Sequence, residues 1–76
     1  MSKHTSGPWV ITCYRDRRFC RLPWLVVARA ENTVTKEIIR PTSGAARNYA
    51  TAREADRAVA QCYRELKAAI AKEVAL

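Results

Sequence analysis

The sequence predicts an α+β fold, a three-stranded antiparallel sheet packed on one C-terminal helix in the order β-β-β-α. Three observations carry it. Runs rich in β-branched and aromatic residues recur at 9–14, 24–30 and 33–40. Polar or proline-bearing stretches separate them. From Thr51 to Val74 no Gly or Pro occurs, and apolar residues return at helical spacing.

Residues 1–8 are polar and end in Gly7-Pro8, which reads as a flexible N-terminal arm before a single domain over 9–76. Trp9 to Tyr14 is the first expected strand. Arg15-Asp16-Arg17-Arg18 makes a charged connection, and Phe19–Pro23 an irregular lead-in, because Pro23 has no N–H for a central strand to donate. Trp24 to Ala30 is the second strand. Glu31-Asn32 reads as a tight reversal, since Asn tolerates the left-handed conformation that short hairpins demand. Thr33 to Arg40 is the third strand, ended by Pro41-Thr-Ser-Gly44, and 45–50 is a connector of undetermined shape.

The helix has the clearest signature. Thr51-Ala-Arg-Glu54 is a capping box: the Thr hydroxyl can accept from the third helical N–H while Glu54 reaches back. Ala55, Val59, Cys62, Leu66, Ile70 and Val74 then form a packing stripe, with Arg53, Arg57, Gln61, Arg64 and Lys67 largely on other faces. One helix covers one face of a sheet, so the other face is expected to lie open.

The formal charge is +7, and ten of the fourteen basic residues are Arg. Residues 1–50 hold nine basic and three acidic side chains, residues 51–76 five and four. The excess therefore belongs to the sheet half. Such a field suits nucleic acid, anionic lipid or an acidic protein surface. The planar Arg fork favours phosphate and base edges over the point charge of Lys. Arg15, Arg17, Arg18 and Arg21 fall within seven residues, flanked by Tyr14, Phe19 and Trp24. Guanidiniums beside rings suit phosphate contact and base stacking. The plainer reading of the run is a solvated turn whose aromatics face the core, and for Trp24 that reading is favoured.

Catalysis and metal binding find little support in the residue pattern. The single histidine, His4, lies in the expected arm, where no rigid scaffold holds it against a nucleophile. With glycine only at 7 and 44, no phosphate-cradling loop is present. Cys13, Cys20 and Cys62 are odd in number and lack knuckle spacing, so neither zinc, another cofactor nor a disulfide framework is expected. Without an apolar leader or a bilayer-length run, the expected location is the cytoplasm, with reduced thiols and no membrane association.

Asn48 to Val59 (Asn-Tyr-Ala-Thr-Ala-Arg-Glu-Ala-Asp-Arg-Ala-Val) resembles the strand-to-helix signature of the plant ethylene-responsive-factor DNA-binding domains and the related integrase arm-binding domains. There an aromatic residue and a Thr precede an E-A-x-x-A helix start; Tyr49, Thr51, Glu54, Ala55 and Ala58 match. Tyr14-Arg15 and Arg21-Leu-Pro-Trp24 resemble the first two strands of those domains. The chain departs from them at Asp16, where the family has glycine, at Pro23 in the second strand, and at Arg47-Asn48 in place of Leu-Gly. The resemblance implies a sheet that presents Arg and Trp to the DNA major groove, with Arg15, Arg17, Arg21, Trp24 and Arg29 as the facing residues.

The expected function is thus a small basic nucleic-acid-binding protein acting through Arg15, Arg17, Arg18, Arg21, Trp24 and Arg29. Its partner would be nucleic acid or a nucleoprotein complex. The alternative is a phage or mobile-element inhibitor, anti-CRISPR-like, that docks on an acidic protein or nucleoprotein surface. A homodimer pairing its open faces suits either.

Overall fold

The computed structural model describes residues 2–74, with side chains from Gly7 to Glu73. Five strands and one helix follow the order β1 (Ser2–Ser6), β2 (Trp9–Arg17), β3 (Trp24–Asn32), β4 (Ile38–Ile39), β5 (Asn48–Tyr49) and α1 (Ala52–Val74). The sheet is antiparallel throughout, ordered β1-β2-β3-β4, with β5 pairing the same edge of β3 as β4 but at its other end. The α+β class expected from the sequence is the class observed.

Alternation along β2 and β3 decides where the core sits. Trp9, Ile11 and Cys13 on β2, with Val26, Ala28 and Ala30 on β3, point to one face and are buried. Ala55, Ala58, Cys62, Leu66 and Ile70 of α1 close over them at the spacing read from the sequence. With Ala45 from the preceding loop, five of these core residues are alanine. Small side chains on both layers let the helix lie close to the sheet, so the core is thin and shape-sensitive. The molecule measures 42 × 18 × 16 Å, a length set by one helix of 23 residues.

Local expectations are corrected at several places. The charged connection expected over 15–18 is strand as far as Arg17, because β2 stays in register with β3 until Arg17 stands opposite Trp24. The arm expected over 1–8 is instead an edge strand: Ser2–Ser6 pairs with Trp9–Cys13, in register from Ser2 opposite Cys13 to Ser6 opposite Trp9; Met1 lies outside the described residues. An edge strand tolerates a polar sequence because its backbone pairing does not depend on an apolar face. Gly7, at φ 60°, and Pro8 close the reversal. A positive φ followed by proline's fixed negative φ is the pattern of a type II′ hairpin turn.

The strand expected over 33–40 shrinks to Ile38–Ile39. β3 runs on through Glu31 and Asn32, and 33–37 is spent on the turn. Asn32, buried, fixes it: its Oδ1 accepts from the N–H groups of Val34 at 2.9 Å and Thr35 at 3.0 Å. Lys36 adopts φ 67°, and its N–H donates to the Asn32 carbonyl at 2.7 Å. Local side-chain bonds thus outcompete the β propensity of Thr33-Val34-Thr35.

The connector over 45–50 contains β5, where Tyr49 stands opposite Trp24 and Asn48 opposite Leu25. Before it, the Arg47 carbonyl accepts from the Val26 N–H at 3.0 Å. The helix begins one residue after Thr51, whose hydroxyl oxygen accepts from the Glu54 N–H at 3.2 Å. The second arm of the expected box is different. The Thr51 hydroxyl donates to the Glu54 carboxylate at 3.0 Å, so the two side chains bond each other.

Candidate nucleic-acid interface

Strand parity sorts the predicted site residues onto two faces. Arg15 stands opposite Val26 and Arg17 opposite Trp24, while Thr12 stands opposite Arg29. Val26 is core, so Arg15, Arg17 and Trp24 lie on the helix side of the sheet, where Arg15 meets Asp56 near the start of α1. Arg29 lies on the open side, in a shallow depression with Val10, Thr12, Glu31 and Thr33. The structure therefore brings Arg15, Arg17 and Trp24 together and leaves Arg29 on the opposite face.

At the helix-side end the cations and rings alternate. The Arg15 guanidinium lies 4.7 Å from the centroid of Trp24, and that of Arg17 lies 6.0 Å from it. Trp24, half-buried, packs its body against the core. Beside it, across the β3–β5 ladder, Tyr49 carries the Arg47 guanidinium 5.0 Å from its own centroid. The order across the sheet is Arg15 and Arg17, Trp24, Tyr49, Arg47. The Tyr49 hydroxyl donates to the Ala45 carbonyl at 2.7 Å, which fixes the ring that Arg47 covers. Interaction with Tyr49 through a side-chain hydrogen bond raises the Arg47 pKa further above its ordinary value, and Glu54 acts in the same direction. That guanidinium is permanently charged.

Arg47 and Tyr49 were not among the sequence-predicted site residues. Their signal was faint: two residues apart they share a face if the connector is extended, and the likeness of 48–59 to a strand-to-helix signature was the one hint of a strand there.

Carboxylates occupy part of this end. Asp56, on the second turn of α1, bonds Arg15 Nε at 2.9 Å, and Asp16 bonds Arg18 at 3.2 Å. Among the described residues no ion pair engages Arg17, Arg21 or Arg47. Arg21 is exposed in the β2–β3 connection, 18–23, which is held by backbone and side-chain bonds. There the Arg18 N–H donates to the Pro23 carbonyl at 2.6 Å, and Asn48 Nδ2 donates to the Leu22 carbonyl at 3.0 Å.

The open face is mixed. Val10, Thr12, Tyr14, Leu25, Val27 and Glu31 are half-buried on it, Ile38 is exposed, and no helix covers them.

The three thiols differ in kind. Cys13 and Cys62 are buried in the core, and Cys20 is exposed. Burial, and the neighbouring Cys62, push the Cys13 pKa up to about 11. Burial first and Glu65 second raise that of Cys62. A thiol with a raised pKa is a poor nucleophile and a poor ligand at neutral pH. Among the described residues no three His, Cys, Asp or Glu side chains converge as a metal site, and no helix is long and apolar enough to cross a membrane.

No protein-family model matches the chain, and no curated protein or solved structure shows significant similarity to it.

Proposed function

We propose that this protein binds nucleic acid, through the Arg15–Arg17–Trp24–Tyr49–Arg47 array and the adjoining hairpin residues Arg18 and Arg21. One observation carries the reading: cations and flat rings alternate at one end of the molecule, and two of the three cations, Arg17 and Arg47, have no ion-pair partner among the described residues. Phosphate contacts from guanidiniums without an ion pair supply sequence-independent affinity, and guanidiniums held over rings offer planes on which a base can stack. Arg29, on the other face, is a separate contact rather than part of that array. The likeness of 48–59 to a DNA-binding signature supports the same class, although the Arg and Trp side chains do not share the open face that it implies.

The protein acts by binding rather than by catalysis. Two of its thiols are buried with raised pKa values, and the exposed one, Cys20, donates to the Leu22 carbonyl at 3.0 Å rather than to a base. Free cysteines fit a reducing compartment, the cytoplasm.

A second reading, an inhibitor that docks on an acidic protein or nucleoprotein surface, is favoured by the open face, where Val10, Leu25, Val27 and Ile38 give a docked protein apolar area to cover. Titration of labelled single-stranded and duplex oligonucleotides at moderate salt separates the two. The nucleic-acid reading expects dissociation constants at or below the order of tens of micromolar. Absence of binding in that range removes it and leaves the inhibitor.

A further inference from the structure

Among the described residues, the large apolar side chain most open to solvent is Phe19, fully exposed at the tip of the β2–β3 hairpin, with Leu22, 42 % exposed, three residues on. Exposing a phenyl ring forgoes roughly 2 kcal/mol of burial. The loop that does so is bonded into place. The Arg18 N–H donates to the Pro23 carbonyl at its base, Cys20 Sγ donates to the Leu22 carbonyl at 3.0 Å, and Asn48 Nδ2 reaches both the Leu22 carbonyl and, at 3.8 Å, Cys20 Sγ. The ring is therefore presented on a preset loop.

Its surroundings indicate what it meets. Along the chain Arg17, Arg18 and Arg21 lie within two residues of it, and the only carboxylate between 15 and 24, Asp16, is already bonded to Arg18. A ring among cations complements a ligand that is itself flat, apolar on its faces and bordered by negative charge. A nucleobase between two phosphates has that form. An anionic membrane shares the charge, but two apolar side chains give it little to hold.

Resting on the nucleic-acid reading above, we infer that Phe19 stacks on an unpaired base while Arg17, Arg18 and Arg21 contact the flanking phosphates. Intact duplex keeps its bases stacked, and a wedge must first pay for unstacking a step. A single ring with no groove-filling partner meets an already unstacked base far more readily. The preferred ligand is thus single-stranded nucleic acid, or a duplex carrying unpaired bases.

The experiment measures anisotropy of a labelled mixed-sequence single strand and of its duplex with the parent, Phe19→Ala and Phe19→Trp proteins. A 2-aminopurine strand reports stacking, and anionic vesicles serve as the competing surface. The parent is expected to favour the single strand and to quench 2-aminopurine. Phe19→Ala should weaken single-strand binding roughly 5- to 150-fold, the range of one base–aromatic stack, and change duplex binding little. Phe19→Trp should restore the quench. Because no phosphate contact is lost, the salt dependence of the Ala variant should match the parent's. Equal single-strand affinity for parent and Ala variant overturns the stacking role while leaving phosphate binding intact. Phe19-dependent vesicle binding without oligonucleotide binding overturns it in favour of a membrane wedge. Failure of the parent to bind any oligonucleotide, with no vesicle binding, overturns the nucleic-acid reading itself.

Discussion

Arg15 on β2 and Asp56 on α1 are joined at 2.9 Å, which ties the sheet to the helix at the basic end of the molecule. The two side chains are 37 % and 61 % exposed, so solvent screens the pair and its net stabilisation is about 0–1 kcal/mol. Its larger effect is on charge, since Asp56 neutralises one of the guanidiniums that bears on Trp24.

Asp56→Asn should therefore leave the denaturation midpoint nearly unchanged while raising oligonucleotide affinity. Removing one carboxylate and freeing one cation is worth roughly two- to five-fold at low salt, and less as salt screens it. Anisotropy titrations at two ionic strengths check this. An affinity that stays level or falls would mean that Arg15 serves the fold alone.

Thr51→Ala should cost about 0.5–2 kcal/mol of stability, because the Glu54 N–H loses its acceptor and the Glu54 carboxylate its donor. Thr51→Ser keeps the hydroxyl and should recover most of the loss. Urea denaturation followed by far-UV circular dichroism measures both, and a midpoint unmoved in the Ala variant would place the helix start elsewhere.

The buried thiol sets a pH dependence. Cys13 ionises near 9.0 when exposed and near 11 in the fold. Between those values the unfolded chain releases a proton that the folded chain retains, so stability falls as pH rises. The contribution is fully present below pH 9 and lost as pH approaches 11, on the order of 2 kcal/mol from one group. Comparing the parent with Cys13→Ala between pH 8 and 11 isolates it, and the parent should show the steeper decline. At neutral pH a thiol reagent should modify Cys20 quickly and reach Cys13 and Cys62 only on unfolding. Equal rates for all three would contradict the burial.

What the sequence made legible follows from what each element needs from its residues. Helix α1 was readable because a cap, a long run free of Gly and Pro, and the spacing of Ala55, Cys62, Leu66 and Ile70 all agree. β2 and β3 were readable because one of their faces must be apolar. β1 was not, since Ser2–Ser6 on an edge contributes backbone pairing and needs no apolar pattern. The turn at 33–37 was hidden by its own β-branched residues: Asn32 folds it by side-chain bonds that propensity does not register. At the site, the Arg-rich run was visible at once. The separation of Arg29 from Arg15 and Arg17 required the register across β2 and β3, and the entry of Arg47 and Tyr49 required β5, a strand of two residues.

The salt dependence of oligonucleotide affinity in the parent and in Arg17→Ala/Arg18→Ala/Arg21→Ala measures most directly whether the guanidiniums at the hairpin end bind phosphate. Among the described residues Arg17 and Arg21 are without an ion pair, and Arg18 is shared with Asp16. These side chains are exposed and carry little packing, so the variant should fold with an unchanged circular dichroism spectrum. Each phosphate contact contributes about 0.7 to the log–log slope on a single strand. Loss of three should flatten the slope by about two units and weaken binding at low salt. A parent that binds with a steep slope, and a folded triple variant that keeps the same slope and affinity, would contradict the account.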